Sequence, residues 1–274
     1  MSKRQKVAKS STRRQNRFVR WLIICLCAIL ILAGVVVGWE ASEQKELEHV
    51  QVNYSDRPTV FVSGDYSNWL TFGPMNQRLQ RYGLAQAVWT IHVAKNGHAT
   101  IDKHRPLGHR NPLILVLFAD NHNAKREAHQ LTGVMHLLRQ QEHIDSVNFV
   151  GHSSGCNIIY QYLTGPAANH RQRYPQTNKF INIATTFSKR EQEAANRFPR
   201  ATRVLNIAGN FANTGGDLGV SVHGDQQLGR LLQDRVKTYR SVTLNGGVSV
   251  IHYLLHQNPR VDRLIVEFLW GGRS

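Results

Sequence analysis

Acidic side chains are absent from residues 1–39, and cysteine is scarce throughout, with three in 274 residues. Cys25 and Cys27 fall inside an apolar run, so Cys156 has no intrachain partner in the remainder. No disulfide framework is available. The fold must rest on its hydrophobic core, and the pattern points to a bacterial envelope rather than to a disulfide-rich secreted domain. Internal repeats and low-complexity tracts are missing too. So is any basic stripe interleaved with aromatics of the kind that binds nucleic acid, and so is the H-E-x-x-H spacing of a metal-binding helix. Neither nucleic acid, metal nor organic cofactor is therefore expected as a partner. The 41% apolar content excludes wholesale disorder, and the length suits one sizeable domain with an appendage.

The charge that is present is lopsided. Of a formal net charge of +16, residues 1–20 supply eight basic side chains (Lys3, Arg4, Lys6, Lys9, Arg13, Arg14, Arg17, Arg20). The other 254 residues hold 26 basic and 18 acidic side chains, a mild excess of +8. Between Trp21 and Trp39 lie nineteen uncharged residues rich in Leu, Ile and Val. At about 1.5 Å per residue this helix nearly spans a bilayer's hydrocarbon core, with a Trp at each interface. Basic flanks stay inside. The expected organisation is a cytoplasmic tail (1–20), a single uncleaved transmembrane anchor (21–39), a polar linker (40–57) and an extracellular globular domain (58–274). A cleaved signal peptide is the alternative. Its apolar stretch would be shorter and end in a small-residue site, of which Val36-Val37-Gly38 is a tolerable version.

Beyond Pro58 strands alternate with helices. Residues 59–63 (TVFVS) form a short β-branched run, and 88–94 with 98–102 read as a hairpin around Asn96-Gly97. Residues 113–118 (LILVLF) are continuously apolar, as in a strand covered on both faces. A helix over 123–143 follows from the helical spacing of Ala128, Leu131, Met135 and Leu138. Then come strand 146–150, helix 154–163, strands 180–184 and 203–207, a helix at 226–235, a strand near 241–244 and a terminal helix around 261–270. This alternation implies an α/β fold, a mostly parallel sheet with helices on both faces.

Chemistry enters at Gly151-His152-Ser153-Ser154-Gly155, a G-x-S-x-G pattern between the strand SVNFV and the helix CNIIYQYL. A nucleophile on a tight strand-to-helix turn needs neighbours without side chains, and the helix N-terminus favours a developing oxyanion. Ser153 is the expected nucleophile, and Ser154 contributes its backbone N–H. A Gly-rich turn capped by serine is the structural alternative.

The acid and the base should follow in that order. Asp217 lies in the loop GNFANTGGDLG after strand 203–207; Asp225 stands nearer the next helix and reads as its N-cap. Neither position reads as core. Among His223, His252 and His256, His252 follows the last strand after a Gly-Gly turn, where the base belongs, and His256 reads as a supporting or capping group.

Over residues 58–270 the chain resembles the uncharacterised, exported α/β hydrolases of Gram-positive bacteria. The resemblance rests on PTVFVSG, NPLILVLF, VGHSSG, DLGVSVHGDQQLGRLL and HYLLHQNPRVDRLIVEFLW. That family ends in His-Ser-x-Leu-His-x-Asn, a Val-Asp-x-Leu segment and Phe-Leu-Trp; His252, Leu255, His256, Asn258, Val261, Asp262, Leu264 and the Phe268–Trp270 ending match. Its acid lies in Asp-Gly-x-Val-Pro, where this chain has Asp217-Leu218-Gly219-Val220-Ser221. The resemblance thus implies Ser153, Asp217 and His252 as the catalytic set. It also implies an oxyanion loop, here Ser63-Gly64-Asp65-Tyr66 in place of His-Gly and small residues, with the Asp65 N–H as the second donor beside Ser154.

Together these features lead to a membrane-anchored serine hydrolase acting on an ester-like bond of a small or envelope-borne acyl substrate. A hydrolase-fold protein that binds an envelope ligand without turnover, and a tethered protein acting through its basic tail, are the alternatives.

Overall fold

The computed structural model describes residues 3–271. The first two residues of the tail and the last three of the globular domain lie outside that range. The chain divides into two compact units, Met1–Glu48 and His49–Ser274.

The first unit is one helix, α1 (Lys3–Leu47). By length and composition its Ile23–Leu47 stretch suffices to cross a membrane, and Ile31 is 68% exposed. Residues 40–47, expected to begin the linker, continue the helix. They are polar, but Glu, Ala, Gln, Lys and Leu are strong helix formers, and the Trp39 indole donates to Glu43 Oε1 at 2.8 Å one turn on.

The second unit runs β1 (Thr59–Val62), α2 (Trp69–Arg81), β2 (Gln86–Val93), β3 (Ala99–Lys103), β4 (Pro112–Phe118), α3 (Ala124–Gln140), β5 (Ser146–His152), α4 (Ser154–Thr164), α5 (Pro166–Asn169) and β6 (Gln176–Ile183). It continues with α6 (Lys189–Glu193), β7 (Arg203–Phe211), α7 (Val222–Asp225), α8 (Gln227–Leu232), β8 (Thr238–Gly246), α9 (His252–Leu255) and α10 (Pro259–Trp270). The eight strands form one sheet in the order β3-β2-β4-β1-β5-β6-β7-β8. Only the β2–β3 pair is antiparallel. Central β1 is buried at all four positions and β4 at six of seven, as continuous apolar runs demand when helices cover both faces.

Helix α2 is an addition to the sequence reading, because Gly73 and Pro74 interrupt a helical pattern. It forms nonetheless. Asn68 caps it, its side chain accepting from the Leu70 N–H at 2.8 Å, and Phe72, Met75 and Leu79 all reach 0% exposure on one face. Full burial of three such side chains contributes about 1.5–3 kcal/mol each, together more than the roughly 1 and 3 kcal/mol that an interior Gly and an interior Pro subtract. The helix expected over 226–235 is the shorter α8, and one further turn, α7, precedes it across Gln226.

Candidate active site

Strand β5 delivers His152 to the edge of the sheet, and Ser153 turns the chain into α4 with φ 56° and ψ −133°. Two glycines make that turn possible. A Cβ on Gly155 would lie 2.2 Å from the Val62 carbonyl oxygen of β1, and one on Gly151 would lie 2.9 Å from Cys156 Cα. The Ser153 hydroxyl does not cap α4; it faces His252.

The three residues singled out from order and position come together although they lie far apart in the chain. His252, the first residue of α9, places Nε2 3.0 Å from Ser153 Oγ and Nδ1 2.9 Å from Asp217 Oδ2. The second carboxylate oxygen of Asp217 accepts from the N–H groups of Gly219 at 2.9 Å and Val220 at 2.5 Å, and the His252 N–H donates to the Asp217 carbonyl at 2.8 Å. Asp217 is 1% exposed and His252 8%, whereas Ser153 is half-buried. With Asp217 accepting from Nδ1–H, the Nε2 lone pair points at the serine.

Asp225 takes no part in this arrangement. It ends α7, whose N-cap is Ser221, so it is not a cap. It sits fully buried between β6 and β7, accepting from the Thr185 N–H at 3.0 Å and the Asn206 amide at 2.7 Å. Burial pushes its carboxyl up to about 8 against those donors. His223 is exposed. Neither the loop position of Asp217 nor the expected cap position of Asp225 reads as core in the sequence, yet both are sealed from solvent.

Ser154 does more than its N–H alone would suggest. Its hydroxyl accepts from the Asp65 N–H at 2.8 Å and donates to Asp65 Oδ1 at 2.7 Å. The resting structure therefore engages the N–H expected to bind an oxyanion, and it ties the Asp65 carboxylate to α4. The Ser154 N–H starts that helix, one of the end groups without an intrahelical partner.

Two further histidines flank His252, and one of them, His152, had gone unremarked in the sequence. His152 Nε2 lies 3.1 Å from the His252 carbonyl oxygen, which fixes Nε2 as the protonated nitrogen. Its ring stands 4.8 Å from that of His252 and 4.5 Å from that of His256. Burial first, then the neighbouring His256 and His252, holds His152 well below the ordinary imidazole range, and burial lowers His256 to about 4. Both are neutral near pH 7, so neither repels a proton arriving on His252. Cys156 is buried against Ile183, and burial pushes its thiol well up. Among the described residues no cluster of ligating side chains fits a metal ion.

A mostly parallel eight-stranded sheet, a serine on a strand–turn–helix elbow, an acid on a later loop and a histidine at the start of a later helix define an α/β hydrolase. The chain matches the model of a family described as α/β hydrolases of unknown function, DUF915, over residues 46–197 and 190–272, and it belongs to that family. Among solved structures it is similar to the lin2722 gene product of Listeria innocua (TM-score 0.70, 18% identity, 80% of this chain and 95% of that one). It is also similar to a protein from Lactobacillus plantarum described as a cell surface hydrolase (TM-score 0.67, 19% identity, 78% and 91%). A more distant likeness is Est1E from Butyrivibrio proteoclasticus (TM-score 0.50, 12% identity, 78% and 87%). No curated protein matches the sequence.

Proposed function

We propose that this α/β hydrolase is a serine hydrolase that cleaves an ester-like acyl bond. The observation that carries the reading is the imidazole of His252, 3.0 Å from Ser153 Oγ on one side and 2.9 Å from buried Asp217 on the other. His252 takes the proton as Ser153 Oγ bonds to the acyl carbon. It then gives that proton to the departing alcohol oxygen as the carbon–oxygen bond breaks. Water, deprotonated by the same imidazole, releases the acyl group as a carboxylic acid and restores the serine. The oxyanion is held by the Ser154 N–H, joined by the Asp65 N–H once the substrate displaces the Ser154 hydroxyl from it.

We also propose that residues 1–20 are cytoplasmic, that 21–39 form an uncleaved anchor, and that the globular unit lies outside the cell.

Ser153→Ala should abolish labelling by a fluorophosphonate probe and lower esterase turnover by at least about a thousandfold, with the fold intact by circular dichroism. The closed Asp65–Ser154 contact favours one alternative, a hydrolase-fold protein that binds an envelope ligand without turnover. A folded wild-type chain that never labels would leave that alternative standing and remove the enzyme reading.

A further inference from the structure

Large apolar side chains at the surface of the globular unit are few and not scattered. Among the described residues, Tyr54, Tyr66, Trp69, Leu70, Leu218, Val248 and Tyr253 are exposed. All but Tyr54 lie on the three segments that surround the Ser153 elbow, those carrying Asp65, Asp217 and His252. Three stand directly after a site residue: Tyr66 after Asp65, Leu218 after Asp217, Tyr253 after His252. The contrast is sharp, since Asp217 and His252 are 1% and 8% exposed while Leu218 and Tyr253 are 72% and 78%. Two of these segments thus turn a polar group inward, His252 to Ser153 and Asp217 to His252, and the neighbouring apolar group out to solvent; on the third, Asp65 is itself exposed and reaches Ser154. Such a cluster is unfavourable in water unless something apolar covers it.

Charge narrows what that is. Residues 49–274 carry 25 Lys and Arg against 14 Asp and Glu. Five of those acids (Glu127, Glu191, Asp217, Asp225 and Asp262) are buried, against Arg78 among the basic residues. The outer surface is therefore more cationic than the formal count, and it complements an anionic lipid headgroup layer. The same chain holds a helix long and apolar enough to cross a bilayer.

We propose that this apolar rim seats the active site on a lipid surface, and that the substrate is an acyl ester carried in that surface. The substrate half of the proposal rests on the serine-hydrolase reading; the seating does not. Leu218 fits the role. It holds a backbone φ of 71°, where the resembled family's loop has glycine, and it presents an exposed apolar side chain next to Asp217.

The test uses the full chain in proteoliposomes of equal parts phosphatidylcholine and phosphatidylglycerol. Lipids brominated on their acyl chains should quench a fluorescence component that Trp69→Phe removes; no difference between the two proteins overturns the seating. Turnover of a long-chain acyl ester held in the vesicles is then compared with turnover of a soluble butyrate ester. The combined variant Tyr66→Ser, Leu218→Ser, Tyr253→Ser should lower the ratio of the two by at least about tenfold. Tyr54→Ser, away from the site, should leave the ratio unchanged. A ratio unaltered by the triple variant, or lowered as much by Tyr54→Ser, removes the substrate assignment. Quenching without hydrolysis of either ester retains the seating and rejects the hydrolase reading; hydrolysis without quenching does the reverse.

Discussion

Asp225 is surrounded by donors, yet burial still carries its carboxyl from an ordinary 3.8 to about 8. The unfolded chain loses this proton near pH 4 while the folded chain keeps it. The contribution of this group to stability is therefore full below about pH 4 and declines until about pH 8. Asp225→Asn should remove that part of the pH dependence, so the margin by which wild type exceeds the variant narrows as pH rises. Denaturant unfolding at several pH values reads this directly; parallel curves would show that Asp225 is ionised at neutral pH. The variant also sets an amide N–H against the Asn206 donor, which costs about 1–3 kcal/mol. Its effect on turnover should be small beside that of Asp217→Asn, whose imidazole loses its tautomer and about four orders of magnitude in rate. Equal losses would mean that the wrong carboxylate was chosen.

At the scale of elements, α2 and α10 hold the site's two outer segments together. Arg78 of α2 donates to Asp262 of α10 at 2.6 Å and 3.2 Å, and to Gln257 Oε1 at 3.2 Å. The Gln257 amide in turn donates to the Leu70 and Thr71 carbonyls at 2.8 and 2.9 Å. Replacing Asp262 takes from Arg78 the carboxylate that accepts two of its hydrogen bonds, so Asp262→Leu should cost about 3–5 kcal/mol, while Arg78→Met combined with Asp262→Leu should recover most of it. A single-variant cost below about 1 kcal/mol in denaturant unfolding would deny this contact its role.

The same elements show what a sequence can disclose. Strands β1, β4 and β5 are legible because an apolar run sandwiched between helices needs no partner to be recognised. Ser153, Asp217 and His252 are legible because chain order and loop position restrict the choices. Asp262 matched a family motif, but its reason, a guanidinium from 184 residues earlier, exists only in three dimensions. The same holds for His152 bonding the carbonyl of His252, 100 residues on, and for the Asp65–Ser154 contact across 89 residues. Helix α2 was readable in principle from Asn68 and the spacing of Phe72, Met75 and Leu79; Gly73 and Pro74 obscured it.

For the whole molecule, orientation is the open quantity. Eight basic side chains precede the uncharged run, and positively charged flanks resist translocation. Protease added to intact cells should therefore degrade the globular unit. Survival there, followed by cleavage after lysis, would reverse the orientation. Cleavage at 36–38 during export would instead release a soluble unit into the medium, which fractionation of the culture distinguishes.

The turn at Ser153 has a consequence for how such a protein drifts. A φ of 56° with ψ −133° is ground that glycine occupies freely and that costs any other residue about 1–3 kcal/mol. Glycine returns about 0.5–1 kcal/mol of this through its looser unfolded chain. Ser153→Gly should accordingly unfold at higher denaturant than Ser153→Ala, by about 1 kcal/mol, although both lack the hydroxyl. If the two are equally stable, the turn is relaxed. If they differ as expected, mutation acting on stability alone favours glycine at this position. A lineage that ceased to need the hydroxyl would lose it by improvement rather than by decay, so a serine held here is a record of continued use.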